Sequence, residues 1–312
     1  MMTKDKYIGH LLIFMVNILF AINISISKSL LPIHVTPFGL TLLRMLFACV
    51  MFWLTSLFLP KEHVSKKDLA LLFFCSMTGI AINQGLFIYG LTNTSPIDAS
   101  IISTASPIFV MVLAAIILNE PITRMKAFGV LVGATGAIGL ILASGQVASG
   151  KSNLLGNMLC MLSSFSYSIY LVIAKPITKR YSSVTIMKWM FLFSTLVIFP
   201  FTYNDLIETP AFHGTINSQY ILSILYVLFF ATFIPYLLIP ISLKRIRPTT
   251  MSMYNYIQPL GASIIAILVG QDTFSLVKLI AAVFVFSGVY LVTQSKSRDD
   301  IERSIASKNR KK

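Results

Sequence analysis

Charge is scarce in this sequence: 12% of its 312 residues are Asp, Glu, Lys or Arg, against roughly 25% in ordinary soluble domains. Too few charged side chains remain to cover a water-soluble globule. Cysteine is also rare, and Cys49, Cys75 and Cys160 all fall inside apolar runs, which excludes a disulfide framework and a metal site. The run GQVASGKS (Gly145 to Ser152) matches G-x-x-x-x-G-K-[ST] by letter, but no soluble domain is present to hold a nucleotide-binding fold around it, and no cofactor is expected. His10, His34, His63 and His213 stand at or beyond the ends of apolar runs, and no H-E-x-x-H is present. The clustered His, Asp or Glu of an intramembrane enzyme is therefore missing. The apolar runs lack the dyad alternation of an outer-membrane barrel. The first of them has no A-x-A site before the second, and reads as an uncleaved helix rather than a signal peptide.

What the chain has instead is hydrocarbon, with 56% of residues hydrophobic. Windows of about 20 apolar residues give ten spans, near 8–27, 37–59, 69–91, 97–118, 126–144, 154–174, 184–201, 220–242, 249–269 and 276–294. Backbone groups in lipid must bond within their own segment, so the spans are expected to be helices and the fold all-α and polytopic. Of the 25 Lys and Arg, 20 fall on one set of alternating loops and the termini, while the other set holds only Lys28, Lys151 and Lys278. The positive-inside rule then places both termini in the cytoplasm and the chain in the cytoplasmic (inner) membrane. A net charge of +14 suits nucleic acid only where a folded basic domain holds it; here it is spread over short loops, and no nucleic-acid partner is expected. The tail 296–312 (KSRDDIERSIASKNRKK) is short and polar and is expected in the cytosol or against anionic lipid headgroups.

The same pattern occurs twice. Gly9 and Lys28 bracket an apolar stretch, as do Gly156 and Lys175 147 positions later. Pro96, Pro107, Glu120 and Gly136 are matched 152 positions on by Pro248, Pro259, Asp272 and Gly288. Thr41 to Phe47 (TLLRMLF) is echoed by Thr185 to Phe191 (TIMKWMF), which sets Arg44 against Lys188. Five spans per copy is an odd number, so the second copy enters the membrane upside down, a common construction in secondary transporters. The expected organisation is a first five-helix repeat over 1–148, a second over 149–295 and the basic tail over 296–312.

The run TSPIDASIISTASPIFVMVLAAIILNEPIT (Thr94 to Thr123) resembles EamA-type members of the drug/metabolite transporter superfamily, in which a small-residue start to the fourth helix is followed by a mid-helix proline and a Glu before the fifth. Arg44 in span two, Lys28 closing span one and the glycines of span five (Gly129, Gly133, Gly136, Gly139) also look like that family. The sequence departs from the pattern at Gly270, Gln271 and Asp272, where the family has Gly then Glu, and at Asn17 to Ala21, where it has Trp-Gly. The resemblance covers nearly the whole chain. It implies a ten-helix carrier with a central cavity between the halves, working by alternating access and often exporting amino acids or other metabolites.

Polar groups within spans mark where a pathway would run, because they cost free energy unless they face protein or water. On span one, Asn17, Ala21 and Lys28 fall within about 40° of one another, while Asn23 points elsewhere. In span six the serines 163, 164, 166 and 168 suit close packing, and Tyr167 and Tyr170 are candidates to contact a solute. Spans four and nine each hold a proline, Pro107 and Pro259, expected to kink the helix and act as a hinge. Ser103 and Ser106 before the first match Asn255 and Gln258 before the second. Asn83 and Gln84, with Tyr236 opposite Gln84, complete the expected cavity lining. Glu120 and Asp272 precede helices, where a carboxylate complements the dipole. Asp98 has no counterpart and is a candidate to titrate with a coupled proton, or equally to cap its helix. Arg44 lies about 10 Å into its span, a candidate charge for function or structure, and Lys188 is expected to snorkel.

The reading that follows is a secondary transporter that moves a small-molecule substrate, an amino acid or related compound, with a proton or an exchanged solute as its partner. A carrier for an anionic phosphorylated metabolite, a membrane scaffold and a lipid-carrier flippase are the alternatives. Topology is open to a direct test. Single cysteines replacing Lys151 or His213 should label from outside and those replacing Lys66 or Ser307 should not; outside labelling at Ser307 breaks the ten-span arrangement.

Overall fold

The computed structural model describes residues 4–31, 34–94, 99, 102–143, 154–209, 218–268 and 276–296. They form α1 (Lys4–Leu30), α2 (Pro37–Leu57), α3 (Lys66–Ser76 continuing through Met77–Ala81 to Ile82–Asn93), α4 (Ser106–Ile117), α5 (Arg124–Ala143) and α6 (Leu154–Ile177). The chain continues with α7 (Ser183–Ile207), α8 (Ser218–Leu228, Phe229–Phe233 and Ile234–Arg245), α9 (Pro248–Met253, Tyr254–Tyr256 and Ile257–Leu268) and α10 (Leu276–Gln294). Six of these, α1, α2, α3, α6, α7 and α8, are long and apolar enough to cross a bilayer as single helices. The others are shorter or broken.

Side chains fix several helix starts. Thr36 accepts from the Gly39 amide at 3.1 Å with Pro37 in the first turn, Ser65 accepts from Asp68 at 3.2 Å, and Ser182 accepts from Thr185 at 3.3 Å. Each satisfies an amide that the first helical turn leaves without a partner.

The principal packings follow one exchange: adding five to a helix of the first repeat, and subtracting five from one of the second, turns one into another or returns the same pair. Helix α1 packs on α8 and α9, while α6 packs on α3 and α4. Helices α2 with α7, α4 with α9 and α5 with α10 pair with their own copies. The first helix of each repeat therefore lies among helices of the other.

The direction of the copies is visible at α5 and α10. A Cβ added at Gly129 would come 2.9 Å from Leu291 Cβ, and one at Gly136 2.7 Å from Phe284 Cβ and the Ala281 carbonyl. Numbers rise along α5 as they fall along α10, so the helices run antiparallel and the repeat is inverted. Two further contacts are images of each other. A Cβ at Gly9 would meet Arg245 at 2.9 Å and Ile246 at 3.0 Å, and one at Gly156 would meet Asn93 at 2.8 Å and Thr94 at 3.0 Å.

Irregularities recur in the same register. A π turn at Met77–Ala81 in α3 is repeated at Phe229–Phe233 in α8. The 3₁₀ turn at Tyr254–Tyr256 in α9 is answered by turn residues 104–105 before α4. Both breaks fall just before Pro107 and Pro259, which have no N–H to give to the carbonyls of Ser103 and Asn255.

Close approach of α5 and α10 depends on glycine. A Cβ at Gly288 would sit 2.6 Å from the Gly129 carbonyl and the Gly133 amide, whereas one at Gly139 would meet nothing within 4 Å. Gly288→Ala should lower stability by about 1–3 kcal/mol, seen as a reduced melting temperature in detergent. Gly139→Ala should leave melting unchanged or raise it slightly.

Candidate functional site

The two repeats meet around a cavity of ≈ 130 Å³ at mid-depth in the bundle, several times the roughly 10–15 Å³ that one water needs. From the sequence, Asn17, Asn83, Gln84, Ser103, Ser106, Tyr167, Tyr236, Asn255, Gln258 and Arg44 were expected to share a site or were singled out for charge, and all ten stand on its wall. Asn23, Ser163 and Ser164 join them, with Ile13, Val16, Phe20, Phe87 and Ile88 as the apolar part.

Repeat symmetry organises this wall. Val16, Asn17 and Phe20 of α1 correspond, 147 positions on, to Ser163, Ser164 and Tyr167 of α6, and all six line the cavity. Gln84 of α3 and Tyr236 of α8 are 152 apart and bond directly, the Gln84 amide nitrogen donating to the Tyr236 hydroxyl at 3.0 Å. Each lies a few residues past its π turn, in the stretch that the widened helix turns toward the axis.

Further hydrogen bonds tie the wall together. Gln258 donates to Asn17 at 2.9 Å, and Asn17 donates to the Ile13 carbonyl of its own helix at 2.8 Å. Asn83 donates to the Ser163 carbonyl at 3.1 Å, and the Ser163 hydroxyl returns a bond to the Asn83 carbonyl at 2.8 Å. Ser106 lies 3.4 Å from both the Asn255 amide and the Ser168 hydroxyl.

Arg44 is the charged residue of the wall and is 5% exposed. Its Nε donates to Thr232 at 2.8 Å and its Nη2 to the Ala231 carbonyl at 3.0 Å. Both acceptors belong to the π turn of α8, where the Thr232 hydroxyl in turn donates to the Val227 carbonyl five residues back. Its repeat mate Lys188 goes another way, lying 5.2 Å over the Trp53 ring.

Two expectations are corrected. Tyr170 is fully buried in the core and is not among the residues that line the cavity; α6 turns it onto α3, where a Cβ at Gly79 would run into its ring. Asn23 was expected to point away from Asn17, yet it lines the same cavity, because a broad face of α1 from Ile13 to Asn23 forms one side of it. Serines 163 and 164, assigned to packing alone, also reach the wall; their alignment with Val16 and Asn17 was the available signal. Asp98 and Asp272 lie outside the described residues, as does the side chain of Lys28.

The other acid placed at a helix start, Glu120, pairs with buried Lys126 at 3.0 Å and accepts from Thr249 at 3.3 Å. This ties the loop before α5 to the start of α9. It belongs to a set of bonds at the end of the bundle that carries the N-terminus. There Asp68 accepts from Arg180 at 2.6 Å and Tyr181 at 2.7 Å, His10 meets the Tyr254 hydroxyl at 2.7 Å, and Ser242 donates to the Gly9 carbonyl at 2.7 Å. Burial works to raise the Glu62 carboxyl, but hydrogen bonds from Thr185 and Ser182 and the charge of Lys188 outweigh it and hold the group below its ordinary value. A larger depression of ≈ 390 Å³ lies at this same end, walled by Asp5, Tyr181, Lys244 and Arg245 among others. It sits off the repeat axis and takes nothing from α3, α4 or α9.

Comparison with known proteins adds a family. The model of the EamA-like transporter family matches residues 7–142 and again 154–294. An uncharacterized transporter of Bacillus subtilis (strain 168), YetK, is 23% identical over 264 residues, 83% of this chain and 78% of that protein. The Arabidopsis thaliana protein WALLS ARE THIN 1 is 25% identical over 317 residues, 89% of this chain and 78% of its own length. A solved structure titled only as a crystal structure of a protein superposes with a TM-score of 0.74 at 16% identity, covering 94% of this chain and 99% of that one, a likeness of fold.

The Gln84–Tyr236 bond crosses between the repeats at the cavity, so it should register as coupling. In a double-mutant cycle of Gln84→Leu and Tyr236→Phe, followed by thermal unfolding in detergent, an interaction of about 0.5–1.5 kcal/mol is expected. Additive effects would mean that the two side chains do not hold each other.

Proposed function

The chain belongs to the EamA-like transporter family and is a multi-pass membrane transporter; from that premise we propose that it is a secondary carrier exporting a small metabolite across the cytoplasmic membrane by alternating access. The observation that carries this reading is the cavity itself, lined by both inverted repeats at mid-depth, where carriers of such construction bind their substrates. Its mixed wall of amides, hydroxyls and aromatic rings suits a solute of amino-acid size or a related compound. A scaffold has no use for so many polar groups buried at the centre of the membrane.

The basic end of the bundle is the cytoplasmic one in this reading, since it carries Lys61, Lys66, Lys67, Lys179, Arg180, Lys244, Arg245 and Arg247. The bonds of Asp68, Glu62, His10, Glu120 and Ser242 described above join the repeats there. They close the cytoplasmic side, and opening inward requires them to part. The repeats run over 1–148 and 149–295, with 296–312 as a cytoplasmic tail facing anionic lipid. A proton or an exchanged solute supplies the driving force, with Asp98 as the candidate coupling group.

Pro107 and Pro259 act as hinges by keeping α4 and α9 divided at the cavity. In proteoliposomes the wild-type protein should move small metabolites above the leak of protein-free vesicles. Pro107→Ala and Pro259→Ala should each lower that flux about tenfold, a barrier change of about 1.4 kcal/mol, with normal membrane abundance. Wild-type flux in both variants removes the hinge role; no flux of any solute by the wild type removes the carrier reading.

A further inference from the structure

Resting on the reading of the cavity as a carrier's binding site, we infer that its substrate is a small organic carboxylate of net negative charge, not a zwitterionic amino acid or a cation. The first observation is the state of Arg44. Its Nε and Nη2 are held by neutral acceptors of the π turn, its Nη1 has no protein partner among the described residues, and the side chain is almost fully withdrawn from water. Among the described residues, no Asp or Glu lines the cavity. A buried guanidinium with no described counter-ion is costly, and its planar fork matches the paired oxygens of a carboxylate, as it does those of a phosphate.

The second observation is the rest of the wall. Apart from Arg44, the described residues that line the cavity are neutral amides, hydroxyls and apolar groups. An ammonium group would find there a guanidinium with no described carboxylate to balance it. An anion finds that guanidinium in its favour. Ile13, Phe20 and Phe87 give the remainder of the substrate a branched or aromatic body.

A matched series separates head group from body. Purified full-length protein would be titrated calorimetrically with pyruvate, 4-methyl-2-oxopentanoate and phenylpyruvate, each beside the amino acid of the same body (alanine, leucine, phenylalanine), and with phenethylamine as the cation. At least one 2-oxo acid should bind roughly tenfold more tightly than its amino acid, with phenethylamine weaker still. Arg44→Gln should reduce that affinity roughly tenfold or more, and Arg44→Lys should keep part of it. Three results overturn the inference: an amino acid or the amine binding as tightly as the oxo acid of its body, failure of the whole oxo-acid series to bind, or a folded Arg44→Gln protein that keeps the preference. The wild-type series needs no variant, so it decides the matter even if Arg44→Gln does not fold. Amino-acid flux in proteoliposomes without oxo-acid binding overturns the anion inference and leaves the carrier reading standing.

Discussion

Apolar helices in a bilayer have no hydrophobic reason to leave lipid for one another, since lipid tails are as apolar as leucine. What brings them together is van der Waals contact at short range and the hydrogen bonds that short range allows. In this protein the short range is supplied by glycine, at Gly129, Gly133, Gly136 and Gly288 between α5 and α10, and at Gly9 and Gly156 where the first helix of each repeat crosses the end of a helix from the other. Take these contacts away and the exchange of helices between repeats has nothing to hold it. The cavity exists because that exchange leaves α1, α3, α4, α6, α8 and α9 facing one axis.

The same constraint explains how Arg44 survives in the interior. An arginine at this depth needs acceptors, and a regular α-helix has already committed its carbonyls to its own ladder. The π turn of α8 disturbs that ladder, and the Ala231 carbonyl and Thr232 hydroxyl take two of the arginine's nitrogens. The break in helix geometry and the buried charge are thus two sides of one arrangement. Lys188, in the equivalent place of the other repeat, makes no bond to the matching π turn of α3, although α7 packs against that turn, and lies instead over Trp53.

Much of this was legible in the sequence, for reasons that can be stated. Span positions follow from hydropathy, because lipid dictates their length: nine of the ten expected spans agree with the helices to within about six residues, while the start of span four falls partly outside the described residues. Inversion follows from an odd span count and from the placement of Lys and Arg. The approximate wall of the cavity follows from polar residues that lipid would reject, which is why Asn17, Gln84, Asn255 and Gln258 could be named. Helix partners could not be read, since a face packed on protein and a face packed on lipid are equally apolar. Tyr170 was expected at the solute for a related reason: a mid-span tyrosine suggested a partner in a cavity, whereas its ring fills the space left by Gly79. The π turns left no mark in composition at all.

Those two π turns, at Met77–Ala81 and Phe229–Phe233, bear on the history of the chain. Each is a local departure that nothing in the inverted arrangement requires to occur twice, yet both fall at the same step of the 152-residue offset that relates Asn93 to Arg245 and Pro107 to Pro259. A feature shared in register by both copies belongs to the unit that was copied. The irregular third helix is then a property of the five-helix unit itself, present in both directions, and the copies differ in what they set beside it: an arginine bonded to the π turn of α8, and a lysine laid over Trp53.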